Sequence, residues 1–188
     1  MEIEADLAIE TPRLAIRELR AEDFADIHAF SSDAETALYM PWGPNSEMET
    51  RDFLRRAVAM RRETPRREYH FALVVKEAGR IVGNCGLSVR RNDPAQGEIG
   101  YVMHRDWRGR GLATEAAGAL LDFAFGSLGL HRVVALCDPR NAASARVLEK
   151  AGLRREGHSI ESAWIKGEWR DELLFAILHR EWRDSRIG

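Results

Sequence analysis

The chain has 188 residues, a length suited to one domain, spanning 1–188, with a sizeable buried core. Hydrophobic residues make up 45% and charged residues 31%, which excludes a mainly disordered chain. The formal net charge is −2, so there is no basic excess of the kind that marks a DNA-binding protein. Only Lys76, Lys150 and Lys166 are lysines, so nearly all the positive charge is arginine and a single Arg carries little functional weight. No apolar run approaches the ~18 residues of a membrane span. The acidic start, Met1 to Glu10, lacks the basic and apolar regions of a secretory signal. Cys85 and Cys137 lie in apolar runs and read as buried thiols. The chain reads as cytoplasmic, without a membrane partner.

In chain order, Thr11 to Leu19 alternates as a half-buried strand, and Ala21 to Phe30 has helical spacing. Ser31 to Asn45 carries Pro41, Gly43 and Pro44 and reads as a loop with a helical turn. Ser46 and Glu49 form a capping-box pattern that opens a helix reaching to about Arg62. Phe71 to Val75, Ile81 to Val89 and Glu98 to Met103 read as three antiparallel strands, because their connections are too short for a crossover. A helix over Leu112 to Phe125, a strand over Arg132 to Leu136 and a helix over Ala142 to Ala151 follow, with Gly152 just past the last. Two strands close the chain, near Ser159 to Ile165 and Arg170 to Leu178. This predicts an α/β (α+β) domain with a mostly antiparallel sheet of about seven strands and about four helices.

The sharpest chemical feature is Arg108-Gly109-Arg110-Gly111-Leu112-Ala113-Thr114, between a strand and a strong helix. Two glycines let the backbone approach a ligand, and the helix start offers unpaired N–H groups to an anion. A Walker loop is excluded because Gly-Lys-Ser/Thr is absent. A dinucleotide fingerprint needs Gly or Ala where Thr114 stands, and a parallel unit before it. The loop reads instead as R-x-x-G-x-A at Arg108, Gly111 and Ala113.

That loop, with Glu115 and Ala116, resembles the acyl-CoA diphosphate loop of the GNAT superfamily of N-acyltransferases. Asp138-Pro139-Arg140-Asn141-Ala142-Ala143-Ser144, followed by Val147 to Leu153, resembles that superfamily's later strand–helix motif. Thr11-Pro12-Arg13-Leu14, with Ile16, Arg17 and Asp23, is similar to the opening of the ribosomal-protein N-terminal acetyltransferase branch.

The resemblance implies an acetyl-CoA-dependent N-acetyltransferase of the GNAT fold, with coenzyme A as product and a homodimer as the expected assembly. A β-bulge is expected to splay two strands. The arm of acetyl-CoA would lie against the backbone of Val102, Met103 and His104. The diphosphate would lie on Gly109, Gly111, Leu112, Ala113 and Thr114, with Arg108 and Arg110 adding charge. An N–H near Met103 would stabilise the oxyanion. Glu98 is the first candidate for the base; Glu161 and His70 are weaker ones. Many members carry a Tyr acid where this chain has Leu148, so Ser144 is the substitute. Asn141 caps its helix, binds the arm, or both. The acceptor site would lie between the 31–45 loop and the final hairpin. Tyr39, Met40, Trp42 and Trp164 would line it, and Asp33 and Glu35 would attract a cationic amine. The acceptor is a primary amine, with the N-terminus of a ribosomal protein among the candidates. The missing Tyr keeps a second reading open, an acyl-CoA-binding regulatory module with weak or no catalysis. The arginines from Arg51 to Arg67 read as a solvated helix face, with ribosomal RNA contact as the alternative. The histidines and cysteines have no zinc-like spacing, so no metal is expected.

Overall fold

A computed structural model describes residues 7–186; the acidic residues 1–6 lie outside it. Eight strands form one sheet among the described residues. In chain order they are β1 (Ala8–Glu10), β2 (Leu14–Glu18), β3 (Glu68–Val75), β4 (Arg80–Val89), β5 (Gln96–Met103), β6 (Arg132–Cys137), β7 (Arg154–Ile165) and β8 (Glu168–Leu178). The helices are α1 (Phe24–Ser31), α2 (Ala34–Ala37), α3 (Glu47–Met60), α4 (Leu112–Asp122), α5 (Ala142–Lys150) and α6 (His179–Asp184). The order across the sheet is β1-β2-β3-β4-β5-β6-β8-β7. Every neighbouring pair is antiparallel except β5 and β6, which are parallel and joined through α4.

The expected mixed, mostly antiparallel sheet is therefore present, with one more strand and two more short helices. β1 pairs Ala8, Ile9 and Glu10 with Arg17, Ile16 and Ala15. Three residues are too few to show an alternation, so nothing in the sequence announced this strand. The helical turn expected in the 31–45 loop is α2, capped by the Asp33 side chain, which accepts from the Thr36 N–H at 2.9 Å.

Strand alternation explains the layers. Leu14, Ile16, Phe71, Leu73, Cys85, Leu87, Ile99 and Met103 are buried on the face covered by α4 and α5. On the other face, Ala72, Ile81 and Val102 pack with Ile27 and Phe30 of α1 and Leu54 and Ala57 of α3. The capping box at α3 forms as expected, with the Ser46 N–H donating to Glu49 Oε2 at 2.7 Å. The end of α5 is a Schellman turn. Leu153 N–H reaches the Leu148 carbonyl at 3.0 Å, and Gly152 has φ +96. Arg17 grips Asp23 through two bonds of 2.8 and 2.7 Å, tying the end of β2 to the start of α1. Several arginines of the 51–67 segment are engaged in pairs. Arg66 meets the buried Glu18 at 2.6 Å, Arg55 meets Asp52 and Arg51 meets Glu47.

Candidate active site

The site begins where β5 and β6 part. Their pairing runs from Gln96 with Arg132 to Glu98 with Val134 and goes no further. The register of β5 with β4 continues unbroken to Met103. The expected bulge is therefore not seen in β5: the opening comes from lost pairing with β6, not from an extra residue against β4.

Which backbone groups face the opening follows from the ladder. His104 N–H donates to the Val82 carbonyl at 2.8 Å, and Arg90 N–H donates to the Gln96 carbonyl at 2.9 Å. Even-numbered residues of β5 thus turn their amides and carbonyls toward β4, and odd-numbered ones turn theirs away. The amides of Tyr101 and Met103 open into the gap. Those of Val102 and His104 belong to the β4 side, which differs from the expectation for the donor arm. The Met103 carbonyl already accepts from Arg108 Nε at 3.2 Å.

On the α4 side, a cleft of about 510 Å³ is walled by Met103, Gly109, Gly111, Thr114, Asn141 and Ser144, among others. Gly109 and Gly111 have φ +75 and +78, a region that glycine enters at little cost. Gly111 starts α4 without a side-chain cap, and the first helical bond runs from Glu115 N–H to the Gly111 carbonyl. The amides of Leu112, Ala113 and Thr114 thus precede the helical ladder, at the positive end of the helix dipole. Neither loop arginine is aimed freely at this cleft. Arg108 reaches Glu35 at 3.1 Å and Thr36 Oγ1 at 2.8 Å, bracing α2. Arg110 lies over the Trp107 ring at 4.6 Å and bonds the Asp106 carbonyl.

Between the strands, Tyr101 and Ser144 meet. The phenol lies 2.9 Å from Ser144 Oγ and also reaches the Ser144 carbonyl at 3.2 Å. Asn141 caps α5 by accepting from the Ser144 N–H at 3.1 Å, which holds the serine at the cleft. Burial pushes the phenol up to about 12, against the opposing pull of the Ser144 bond, so it stays protonated at neutral pH. Leu148 is buried and apolar, so that position supplies no proton donor. Tyr101 was not anticipated. On an alternating strand it looks like any half-buried aromatic, and only the fold brings it to α5.

A second cavity, about 470 Å³, adjoins the first and shares Tyr39, Met40, Tyr101, Val102, Asn141 and Ser144 with it. Its floor is built from cross-strand rows. Glu68, Ser88 and Glu98 lie side by side, then His70, Gly86 and Gly100, then Ala72, Asn84 and Val102. A Cβ built on Gly100 meets nothing within 4 Å, so this glycine leaves the hollow open. Glu98 sits in this floor, and its carboxyl makes no side-chain hydrogen bond among the described residues. Burial raises its carboxyl pKa, Arg90 opposes the rise, and the Glu172 and Glu68 carboxylates add to it. His70 also lines the cavity, with its pKa lowered mainly by burial.

Tyr39, Met40 and Trp42 line this cavity, and Ile165 lines it from the hairpin. Trp164 does not: it is 61% exposed and stacks edge-on with Trp169 at 5.4 Å. Glu161 does not line it either; it lies in a β7 irregularity where its N–H donates to Asp171 Oδ1 at 2.8 Å. Lys166 and Arg170 donate to the Ala37 and Leu38 carbonyls at 2.5 and 3.0 Å, so the hairpin holds the end of α2 over the cavity. A third hollow, about 560 Å³, continues past Trp42 and Phe53 between α1 and α3. Among the described residues no group of three or more His, Cys, Asp or Glu stands together as metal ligands.

Two cavities meet across a parted strand pair, one of them beside a glycine loop and a helix start. A family model described as the acetyltransferase (GNAT) domain matches residues 13–154. The chain belongs to the GNAT acetyltransferase family and is an acyltransferase. It is 32% identical over 174 residues to the uncharacterized N-acetyltransferase YnaD of Bacillus subtilis (strain 168), covering 93% of this chain and 98% of that protein. The crystal structure of a GNAT-family acetyltransferase from Bacillus anthracis matches with TM-score 0.83 at 32% identity, covering 93% of this chain and 99% of that one. That of ribosomal-protein-S5-alanine acetyltransferase from Vibrio fischeri matches with TM-score 0.78 at 25% identity, over 94% and 99% of the two chains.

Proposed function

We propose that the protein moves an acetyl group from acetyl-CoA directly to a primary amine, and that the amine is a protein N-terminus. The observation that carries this reading is the junction of the two cavities at Tyr101, Asn141 and Ser144. A donor on the α4 side and an amine on the Glu98 side would meet there without a covalent enzyme intermediate. The residues suit an acyl-CoA. The outward N–H and carbonyl of Tyr101 can pair an amide-containing arm as an added strand, which leaves the Met103 N–H for the acyl carbonyl. The glycine loop and the amides of Leu112 to Thr114 suit a diphosphate. Bound acetyl-CoA supplies the activated acetyl carbon.

Each residue then has a defined task. Glu98 takes the proton that an incoming ammonium must lose, and its raised pKa brings it nearer to that task. The Met103 N–H faces the charge that grows on the carbonyl oxygen. As the N–C bond forms and the C–S bond breaks, Tyr101 gives a proton to the departing sulfur and Ser144 orients the phenol. The proton shed by the attacking nitrogen replaces it. The acceptor preference rests on space and likeness. The hollow past Trp42 leaves room for a body behind the amine, and the S5-alanine acetyltransferase is among the similar chains.

The test is acetyl-CoA binding followed by thiol release with a panel of N-terminal peptides and small amines. Saturation with acetyl-CoA at about 100 times its Kd should stabilise the protein by about 2.7 kcal/mol. Thiol release should depend on an added peptide amine. Binding without amine-dependent release would make the protein a binding module, and release with small amines alone would overturn the N-terminal preference.

A further inference from the structure

We propose that Arg13, outside the glycine loop, is the positioning residue that sets this loop for the donor diphosphate. The proposal rests on the acetyl-CoA reading above. Arg13 belongs to the Thr11-Pro12-Arg13-Leu14 segment that precedes β2, about a hundred residues before the loop. Four contacts join the two. Thr11 Oγ1 donates to Glu115 Oε1 at 2.6 Å, and the Arg13 N–H donates to the same oxygen at 2.8 Å. Arg13 Nε donates to Glu115 Oε2 at 2.6 Å, and Arg13 Nη1 donates to the Arg110 carbonyl at 2.7 Å. Glu115 is in the first turn of α4, so the arginine bridges the helix start to the loop before it.

The bond to the Arg110 carbonyl has a geometric consequence. In a trans peptide the carbonyl and the following N–H point in opposite directions. Holding the Arg110 carbonyl toward Arg13 therefore turns the Gly111 N–H away from it. Gly111 lies on the wall of the donor cleft. Gly109 and Gly111 on either side of Arg110 are free to rotate, because glycine crosses between positive and negative φ at little cost. Without the guanidinium that peptide can flip and replace a donor by a carbonyl facing an anion. The guanidinium also polarises the peptide and strengthens its N–H as a donor. Its charge offsets the Glu115 carboxylate, which would otherwise stand against an anion at the helix start. A side chain at Gly111 would begin 3.3 Å from Arg13 Nη2, so the loop glycine and the arginine are packed as a unit.

The experiment titrates CoA and ADP into the wild-type chain, Arg13→Ala and Arg13→Lys, and follows turnover with an accepted amine. ADP carries the diphosphate but not the thiol arm. Arg13→Ala should raise the Kd of both ligands about tenfold, the effect of losing a charge-assisted bond. Its kcat at saturating acetyl-CoA and its KM for the amine should stay within about twofold. Arg13→Lys should recover part of the affinity, because an ammonium reaches the carbonyl but not the carbonyl and Glu115 together. Unchanged Kd values in the Ala variant overturn the proposal. So does a fall in kcat that matches the loss of affinity, which points to general disorder of the site. If the Ala variant does not fold, an unchanged Kd in Arg13→Lys overturns it. A wild-type chain that binds no CoA instead removes the acetyl-CoA reading itself.

Discussion

Tyr101 and Ser144 stand 43 residues apart in the chain, yet their hydroxyls are 2.9 Å apart. A phenol is the stronger acid of the two, so Tyr101 rather than Ser144 should carry the proton to sulfur. Tyr101→Phe should lower kcat by about a hundredfold, the low end for loss of a general acid, with little change in the acetyl-CoA KM. Ser144→Ala should slow turnover less, and still more than it weakens acetyl-CoA binding. Unchanged kcat in the Phe variant would leave the phenol without a proton role. Glu98 makes a second prediction. Its carboxyl pKa is raised by burial, so the fold favours the protonated form. That contribution is full below the carboxyl's unfolded pKa and is lost as pH rises through the higher folded value. Glu98→Gln should therefore melt above the wild type at pH 7, lose that advantage at acid pH, and turn over slowly. A variant that melts below the wild type at pH 7 would contradict this. Glu98 and Ser144 could be named as candidates from the sequence because one lies on the strand feeding the glycine loop and the other beside the Asn141 cap. Tyr101 was not, since its partner is set by how β5 crosses α5.

At the scale of elements, what could be read was what is local. The α3 capping box, the α5 cap at Asn141 and the turn at Gly152 each lie within a few residues, and each forms. The split of β5 from β6 was expected only by resemblance. Its origin, three paired positions and then none, depends on the directions of strands separated by α4. The acceptor hollow is likewise a cross-strand property. Gly86 and Gly100 are neighbours only once β4 and β5 pair. Gly100 has open space at its Cβ and no positive φ, so a side chain there should be tolerated by the backbone. Gly100→Val should raise the amine KM at least tenfold by filling the hollow, a volume effect on one substrate. Acetyl-CoA affinity should change by less than about twofold. Equal loss of both affinities would mean that the two cavities are not separate sites.

Across the whole molecule, the near-neutral charge acquires an address. The loop arginines that looked like phosphate ligands brace α2 and Trp107, while the helix start and the glycine backbone face the cleft. Arg51, Arg55, Arg61 and Arg66 of the 51–67 segment are drawn into ion pairs, the last two with the buried Glu18. The loop arginines work as struts, and the cleft wall beside them is largely backbone. This is why composition was silent about the site.

The single parallel seam of the sheet has a mechanical meaning. β1 to β5 form one antiparallel leaf and β6 to β8 another, hinged at three rungs from Gln96 to Glu98. A donor arm lying along Tyr101 and Met103 would act as the missing strand and rivet the leaves together. The ligand-free protein should thus be most compliant along this one line, and stiffest when loaded.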